Sequence, residues 1–437
     1  MNIVERGKAF VQSLRELSER SIWDWRRCPR CGGTNTCKYG SYSRNPWFFG
    51  GRQKWRVQRH KCYPCNGTYS EQSALLVRGS WYAREVHRAA IDYWQFAGSS
   101  LRRLVELLRA HIDHQGRWLI WRPLDVVPAE EGQCRLSASS VHRWLDVAGK
   151  KAEETVVGQL AGVATSGQVG TDGLWARLRG VGKDGKGKAE AVVLALVDSV
   201  TGVIWPPIVT AEEGTVLAWA SMFRRARRAG LRLNDLRGVV SDGAKGLIGY
   251  LNAKLTWVNH QRCVWHIWRQ LSGELMARVM EAGAGLSEEP AKVARKAARE
   301  ELVALVRGVL DATSEGEAKK ALDRLGAHPR SKGLAEKLRP HLDALLVYRM
   351  KFNAGLARVG PEWIWRDFRL RLSHGRNHGT TQRLERAALV WAIYHNLTPA
   401  QWRSERKRHY RYPGRSPLEV AGLEVGGGIS YLDALAV

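Results

Sequence analysis

No apolar run in this chain is long enough to span a bilayer, and no lipidation motif is present, which argues against a membrane protein. The stretch Met1 to Arg20 is charged and amphipathic rather than the apolar core of a signal peptide. Cysteine is scarce: there are seven in 437 residues, at 28, 31, 37, 62, 65, 134 and 263. Four of them form two Cys-x-x-Cys pairs, which excludes a disulfide framework and points to metal ligation in a reducing, cytoplasmic compartment. Acidic residues are also few, 42 against 69 Lys and Arg, leaving a formal charge of +27. That surplus is the electrostatic footprint of a polyphosphate partner. There are no internal repeats and no long low-complexity segment. Trp, by contrast, is plentiful at nineteen residues, to fill cores or to stack on bases.

Composition divides the chain into a multidomain α/β protein. Residues 1–25 read as a short helix and 26–75 as a compact metal-bound segment. A helical region covers 80–150, interrupted by an irregular stretch from His111 to Gln133. Short β-type runs follow over 165–270: Gln168–Arg179, Ala189–Ser199, Val203–Thr210, Gly238–Ser241 and Thr256–Arg262, with one helix at Thr215–Ala229. Gly180–Lys188 reads as a flexible basic hairpin loop. Residues 271–370 are helical and charged, as in Ser287–Ala312; a last helix within 371–412 runs from Thr381 to Asn396, and 413–437 form a tail.

Cys28-Pro-Arg-Cys31 and Cys62-Tyr-Pro-Cys65 lie thirty residues apart, joined by a segment containing Trp47, Phe48, Phe49, Trp55 and Val57. Two such knuckles supply the four soft ligands of tetrahedral structural Zn²⁺, and a segment this small needs the metal to fold. Cys37 is a possible substitute ligand. Basic residues around the site, among them Arg30, Arg56 and Lys61, suit DNA phosphates. In the helical region, Leu101, Leu104, Val105 and Leu108 mark one helix and Val141, Trp144 and Leu145 another. The pair is helix-turn-helix-like, with Ser139, Ser140, His142 and Arg143 as candidate DNA readers, although about twenty-five residues replace the usual tight turn.

Asp172 lies on the first β-type run, Asp242 ends the run Val239-Val240-Ser241, and Glu385 borders the buried stripe at the start of the last helix. Two strands and a helix packed on their sheet can bring three such carboxylates together. Their summed charge then calls for divalent cations, and hard oxygens suit two Mg²⁺ or Mn²⁺ ions that promote phosphoryl transfer. Asp198 is a rival strand-end acid, and Glu362 and Glu405 are rivals for the third position. Asp-Gly is also an ordinary turn dipeptide, and an acid near a helix N-terminus complements the dipole without further function.

The motifs Gly-Thr-Asp172-Gly-Leu-Trp, Val-Val-Ser-Asp242-Gly-Ala-Lys-Gly-Leu, Gln-Arg-Cys263-Val-Trp-His266 and Thr-Thr-Gln-Arg-Leu-Glu385-Arg resemble those of Mutator-like DDE transposases, in their bacterial insertion-sequence branch. The resemblance covers about residues 165 to 412. It implies a ribonuclease-H-like catalytic domain interrupted by an all-helical insertion, with Asp172, Asp242 and Glu385 as its metal-binding acids. It places Cys263 and His266 beside the active site, and makes the zinc ribbon and helical region DNA-binding appendages. Near Glu385, Arg371, His374, Arg376, Asn377 and His378 are candidates to hold a DNA end. The implied function is cleavage of element ends and transfer of their 3′-hydroxyls to target double-stranded DNA by a DNA-associated homo-oligomer. Two other readings stay open: a non-enzymatic, domesticated DNA-binding regulator, and a nuclease of the same fold without strand transfer.

Overall fold

The five apolar β-type runs form strands, although two of them are shorter than their sequence suggests. The computed structural model describes residues 25–49, 51–71, 73, 75–97, 101–113, 134–160, 163–179, 188–349, 357–358, 360, 362–374, 378–399, 414–423 and 431–435. The helix expected within residues 1–25 therefore lies outside the described residues, apart from Trp25. So do most of the irregular stretch after His111, the basic loop at 180–187, Glu405, Arg376 and Asn377. The chain divides into two compact units, one built from Met1–Ala148 with Ala436–Val437, the other from Gly149–Leu435.

In the first unit, β1 (Thr36–Arg44), β4 (Trp55–Cys62) and β5 (Thr68–Ser70) form an antiparallel sheet, and β2 (Trp47–Phe48) pairs with β3 (Gly51–Arg52). Phe48, Val57, Leu76 and Ala83 make a small core against Trp55 and Leu75. That is little apolar area for so many residues, so a further constraint is needed to hold the segment folded. Three helices follow: α1 (Arg84–Ala97), α2 (Leu101–Asp113) and α3 (Ala138–Gln159), the last running across the boundary between the units. Leu104, Val105, Leu108 and Ile112 form the buried stripe of α2 at helical spacing. Ser137 Oγ accepts the Ser140 amide at 3.2 Å and caps α3.

The second unit is built on a five-stranded sheet in the order β10-β9-β6-β7-β8. β6 (Gln168–Arg179), β7 (Lys188–Asp198) and β8 (Ile208–Thr210) are antiparallel, whereas β9 (Gly238–Ser241) and β10 (Asn259–Arg262) run parallel to β6. Val192 to Val197 are buried on both faces of β7, as expected for a central strand covered on both sides. The run at Val203–Thr210 yields strand only from Ile208. Pro206 and Pro207 carry no N–H to donate, so Ile204 makes only an isolated bridge to Val197 before them. β9 pairs with Gln168, Val169 and Gly170 alone, so the rest of β6 projects beyond the end of β9.

α4 (Val216–Arg228) packs against β7 and β8 and against α5 (Lys245–Lys254). On the face carrying Leu174, Leu178, Val193 and Ala195 lie α11 (Glu362–His374) and α12 (Thr381–Leu397). Their rings form a stack, Trp391 with Phe368 at 4.4 Å and with Trp365 at 5.9 Å. Truncating any of these buried rings costs about 3–5 kcal/mol. Asn396 fixes the far end of α12: its amide donates to the Ile204 carbonyl at 2.9 Å and its oxygen accepts the Ile204 amide at 2.8 Å.

Between β10 and α11 the described residues are largely helical. α6 (Val264–Glu281), α7 (Glu288–Leu310), α8 (Glu315–Ala327), α9 (Lys332–Leu338) and α10 (Leu342–Leu346) share a separate core that includes Leu271, Leu302, Val306 and Leu322. α11, which begins inside the 271–370 stretch, packs on the sheet through Ile364, Trp365 and Phe368 and not on that cluster. Short helices α13 (Pro417–Val420) and α14 (Tyr431–Ala434) close the described chain. No helix among the described residues is long and apolar enough to cross a membrane.

Candidate functional site

Two groups of metal-ligating side chains come together in the described residues, one in each unit. The first is Cys28, Cys31, Cys62 and Cys65. Each knuckle turns back on itself: the Cys28 amide donates to the Gly33 carbonyl at 2.9 Å, and the Cys62 amide to the Gly67 carbonyl at 2.9 Å. The residue after each pair, Gly32 (φ 72°) or Asn66 (φ 51°), takes the left-handed conformation that such a turn demands. Sulfur atoms of Cys28 and Cys65 lie 3.6 Å apart, as do those of Cys31 and Cys62. Four thiolates at the Zn–S bond length around one ion would stand about 3.8 Å from one another, so the set fits zinc. Burial raises the Cys28 thiol, but amides of Arg30 and Cys31 and the neighbouring thiols outweigh that and bring it down to about 6. Cys37 stands outside the group, opposite Lys61 in the β1–β4 register.

The second group is Asp172, His266 and Glu362, whose donor atoms all lie within 4.8 Å of one another. Asp172 sits on β6 just past the last residue paired with β9. Its Oδ1 accepts the Gly173 amide at 2.9 Å, while its Oδ2 lies 3.9 Å from His266 Nε2. His266 Nε2 is also 3.2 Å from Glu362 Oε1, in an orientation that forms no hydrogen bond, so this buried oxygen has no such partner among the described residues. His266 Nδ1 is equally buried and unpartnered. Asp242 follows β9 directly and its Oδ1 accepts the Ala244 amide at 3.0 Å. Gly243 takes φ 82°, and any side chain there would collide with the Arg262 guanidinium that crosses beside it.

This group holds negative charge at a cost. Burial pushes the Asp172 carboxyl up to about 9, helped by the charge and hydrogen bond of Glu362 and by the charge of Asp242, against the Gly173 amide. Burial pushes His266 down from its ordinary value, opposed by Glu362 and Asp242, which leaves a neutral imidazole with a lone pair to offer. Like charges so close, out of water, cannot all ionise unless something neutralises them. Asp172, His266 and Glu362 could hold a metal ion, with His266 Nε2 facing both acids and the unpartnered Glu362 Oε1 free to ligate.

Cys263 explains how Glu362 arrives there. It caps α6, and its buried Sγ accepts the Gly360 amide at 3.2 Å. The Val264 amide donates to the Arg358 carbonyl at 3.0 Å. The segment entering α11 is thus fastened to the end of β10. One turn into α6, His266 meets the acid that this fastening delivers. Glu362 stands in the first turn of α11, where the helix dipole favours an anion.

The other acids singled out in the sequence are engaged elsewhere. Glu385 accepts the Val209 amide through Oε2 at 2.9 Å and pairs through Oε1 with Arg225, tying α12 to β8 and α4. The structure thus brings Glu362, and not Glu385, to Asp172 and His266. Asp198 accepts four bonds, from Thr165, Ser166, Val200 and Thr201, and so organises the turn after β7. His260 lies against Ser241 Oγ at 2.8 Å and is drawn down to about 4, chiefly by burial and then by Arg262. Of the candidate DNA contacts, Arg143 is exposed and His142 half-buried on α3, while Ser139 and Ser140 stand in its first turn. His378 is half-buried before α12; Arg371 and His374 belong to α11, but their side chains, like all of Arg376, lie outside the described residues. Glu362, a rival for the third position in the sequence, opens the apolar stretch Pro361-Glu362-Trp363-Ile364-Trp365.

One comparison bears on this geometry. Residues 168–282 match the model of the family described as transposase, Mutator family. The matched segment contains Asp172, Asp242, Cys263 and His266, and ends before Glu362 and Glu385. It supports a transposase, a DNA-processing protein. No curated protein matches the chain.

Proposed function

We propose that this chain is a metal-dependent DNA transposase of DDE type, with Asp172, Asp242 and Glu362 as its three acids. The observation that carries this reading is the convergence of Asp172, His266 and Glu362, with Asp242 close enough for its charge to act on Asp172 and His266; all but Glu362 lie in the segment resembling transposases. The strand order, three antiparallel strands followed by two parallel ones, with acids on β6 and after β9, supports a ribonuclease-H-like catalytic domain. α6 to α10, with their own core, then stand as a helical insertion between β10 and the helix that bears Glu362.

Bound Mg²⁺ or Mn²⁺, two per site, would polarise the phosphate and lower the barrier to attack and departure of its oxygens. Asp172 would present its carboxylate to the reacting phosphate from β6, and Glu362 from α11, whose entry the Cys263 contact fastens to the end of β10. Asp242 contributes from the adjacent strand end. His266, kept neutral, either ligates through Nε2 or orients Glu362. Water would first open a phosphodiester at an element end, releasing a 3′-hydroxyl and a 5′-phosphate; that 3′-hydroxyl would then attack a target phosphodiester and displace the target strand's own 3′-hydroxyl. Zn²⁺ on Cys28, Cys31, Cys62 and Cys65 would hold the ribbon, and its basic strands would meet DNA phosphates. Because two ends must react together, the working form is at least a dimer on DNA.

The test is cleavage and strand transfer of labelled element-end DNA with Mg²⁺ or Mn²⁺, comparing wild type with Asp242→Ala. Activity lost in the variant while DNA binding persists would support this reading. Cleavage without joined products would leave a nuclease, and binding without cleavage a DNA-binding regulator.

A further inference from the structure

Among the described residues of the second unit, the side chains of Trp205, Trp219, Trp365 and Trp391 are buried. Trp175 is different. It stands on β6 three residues beyond Asp172, on the part of the strand that projects past β9, and its side chain is half exposed. Its Nε1 donates to Glu213 Oε1 at 3.3 Å. The other Glu213 oxygen lies where a side chain at position 173 would be, so only glycine there lets this carboxylate reach the indole. Glu213 in turn lies close enough to Asp242 for that charge, together with burial, to raise its carboxyl above the usual range. Among the described residues no ring or cation stacks on Trp175, whereas Trp265 carries the Arg269 guanidinium 5.5 Å above its ring.

An exposed indole fixed by a hydrogen bond on a rigid strand is a prepared stacking surface. Three residues of strand span about 10 Å, which is also about three base-pair rises along DNA. Asp172 and Trp175 point to opposite faces of β6, and a strand of DNA that crosses its projecting edge can meet both.

We propose that Trp175, held by Glu213 over Gly173, stacks on a nucleobase within about three nucleotides of the phosphate at the acidic site. This rests on the DNA-cleaving function proposed above. It adds to that reading a contact that is sequence-tolerant, independent of charge and adjacent to the chemistry. Every nucleobase has a π-face, so the platform would accept an unpaired base of any identity, and it would favour DNA already opened near the cut.

The test uses the full chain in Ca²⁺ and a short single-stranded oligodeoxythymidine carrying one 5-iodouracil or one 2-aminopurine. Irradiation should cross-link the iodouracil to the peptide containing Trp175, as mapped by mass spectrometry. Trp175→Ala should lose that cross-link, bind the oligonucleotide about tenfold more weakly and fail to quench 2-aminopurine. The dependence of its affinity on salt should be unchanged, because no phosphate contact is removed. Trp175→Phe, which keeps a ring, and Glu213→Gln, which keeps an acceptor for Nε1, should retain most of the quenching. Trp257→Ala removes another half-exposed Trp and should match wild type. Cross-links that avoid Trp175, or an alanine variant that binds and quenches like wild type, would overturn the proposal. Cleavage of labelled element-end DNA in Mn²⁺ is scored separately. A wild type that stacks but never cuts counts against the proposed function alone; one that cuts while Trp175→Ala stacks normally counts against this contact alone.

Discussion

Glu362 opens α11 and Glu385 stands in the second turn of α12, two helices that pack on the same sheet face, and the two acids have different fates. Glu362 meets Asp172 and His266; Glu385 is consumed by Arg225 and the Val209 amide. Glu362→Gln should therefore reduce metal-dependent cleavage about 10²–10³-fold while the melting temperature holds. Glu385→Gln should leave the metal chemistry in place but remove about 1–3 kcal/mol of stability, because Arg225 loses its charged partner in a half-buried setting. Thermal melts and cleavage assays on the two variants separate these outcomes. A second prediction concerns His87, whose ring stacks on Trp144 at 3.8 Å beside Ser80 Oγ. Burial, then the charge of Arg84, draws it down to about 3. The folded state needs this imidazole neutral, so its contribution is intact above the unfolded value near 6.5. That contribution is lost as pH falls from there toward 3, by up to about 1.4 kcal/mol per unit. His87→Gln should flatten that acid limb in denaturant titrations; a limb as steep as in wild type would place the sensitivity elsewhere.

For the elements, the decisive contact is a hydrogen bond between residues 97 apart, Gly360 amide to Cys263 sulfur. It fastens the start of α11 to the end of β10 and so delivers Glu362. Cys263→Ala should lower cleavage about tenfold with little change in DNA affinity, and Cys263→Ser, which retains an acceptor, should recover part of it. This contact also marks where sequence reasoning runs out. β6 was legible from its β-type run, β9 from a short apolar run ending in Asp-Gly, and α4, α7 and α12 because their apolar stripes recur at helical spacing. The cysteine knuckles were legible from spacing alone. β8 was overestimated because Pro206 and Pro207 interrupt its ladder. The third acid was ambiguous for a physical reason: α11 and α12 carry the same signature, an acid near the start of an apolar stripe. Which of them reaches the strand ends is set by the tertiary bond to Cys263, and no local pattern encodes it.

The whole molecule combines a strongly cationic chain with a small acidic centre, so binding and chemistry should respond to different variables. DNA affinity should fall steeply and linearly in log–log form with salt, with a slope reporting the phosphates engaged, while Asp242→Ala leaves that slope unchanged. Filter binding between about 50 and 200 mM salt measures it. The two units should also part company under chelation. Removing zinc should unfold the segment around Cys28, Cys31, Cys62 and Cys65, whose own core is small, without unfolding the sheet that carries Asp172 and Asp242. Hydrogen exchange before and after chelation would show this, and loss of protection throughout the chain would contradict the modular account. The most direct test of the central claim is cleavage of labelled DNA in Mn²⁺ by wild type, Glu362→Gln and Glu385→Gln side by side. The account predicts cutting by wild type and Glu385→Gln and its loss in Glu362→Gln with binding retained; loss in Glu385→Gln with cutting by Glu362→Gln would contradict it.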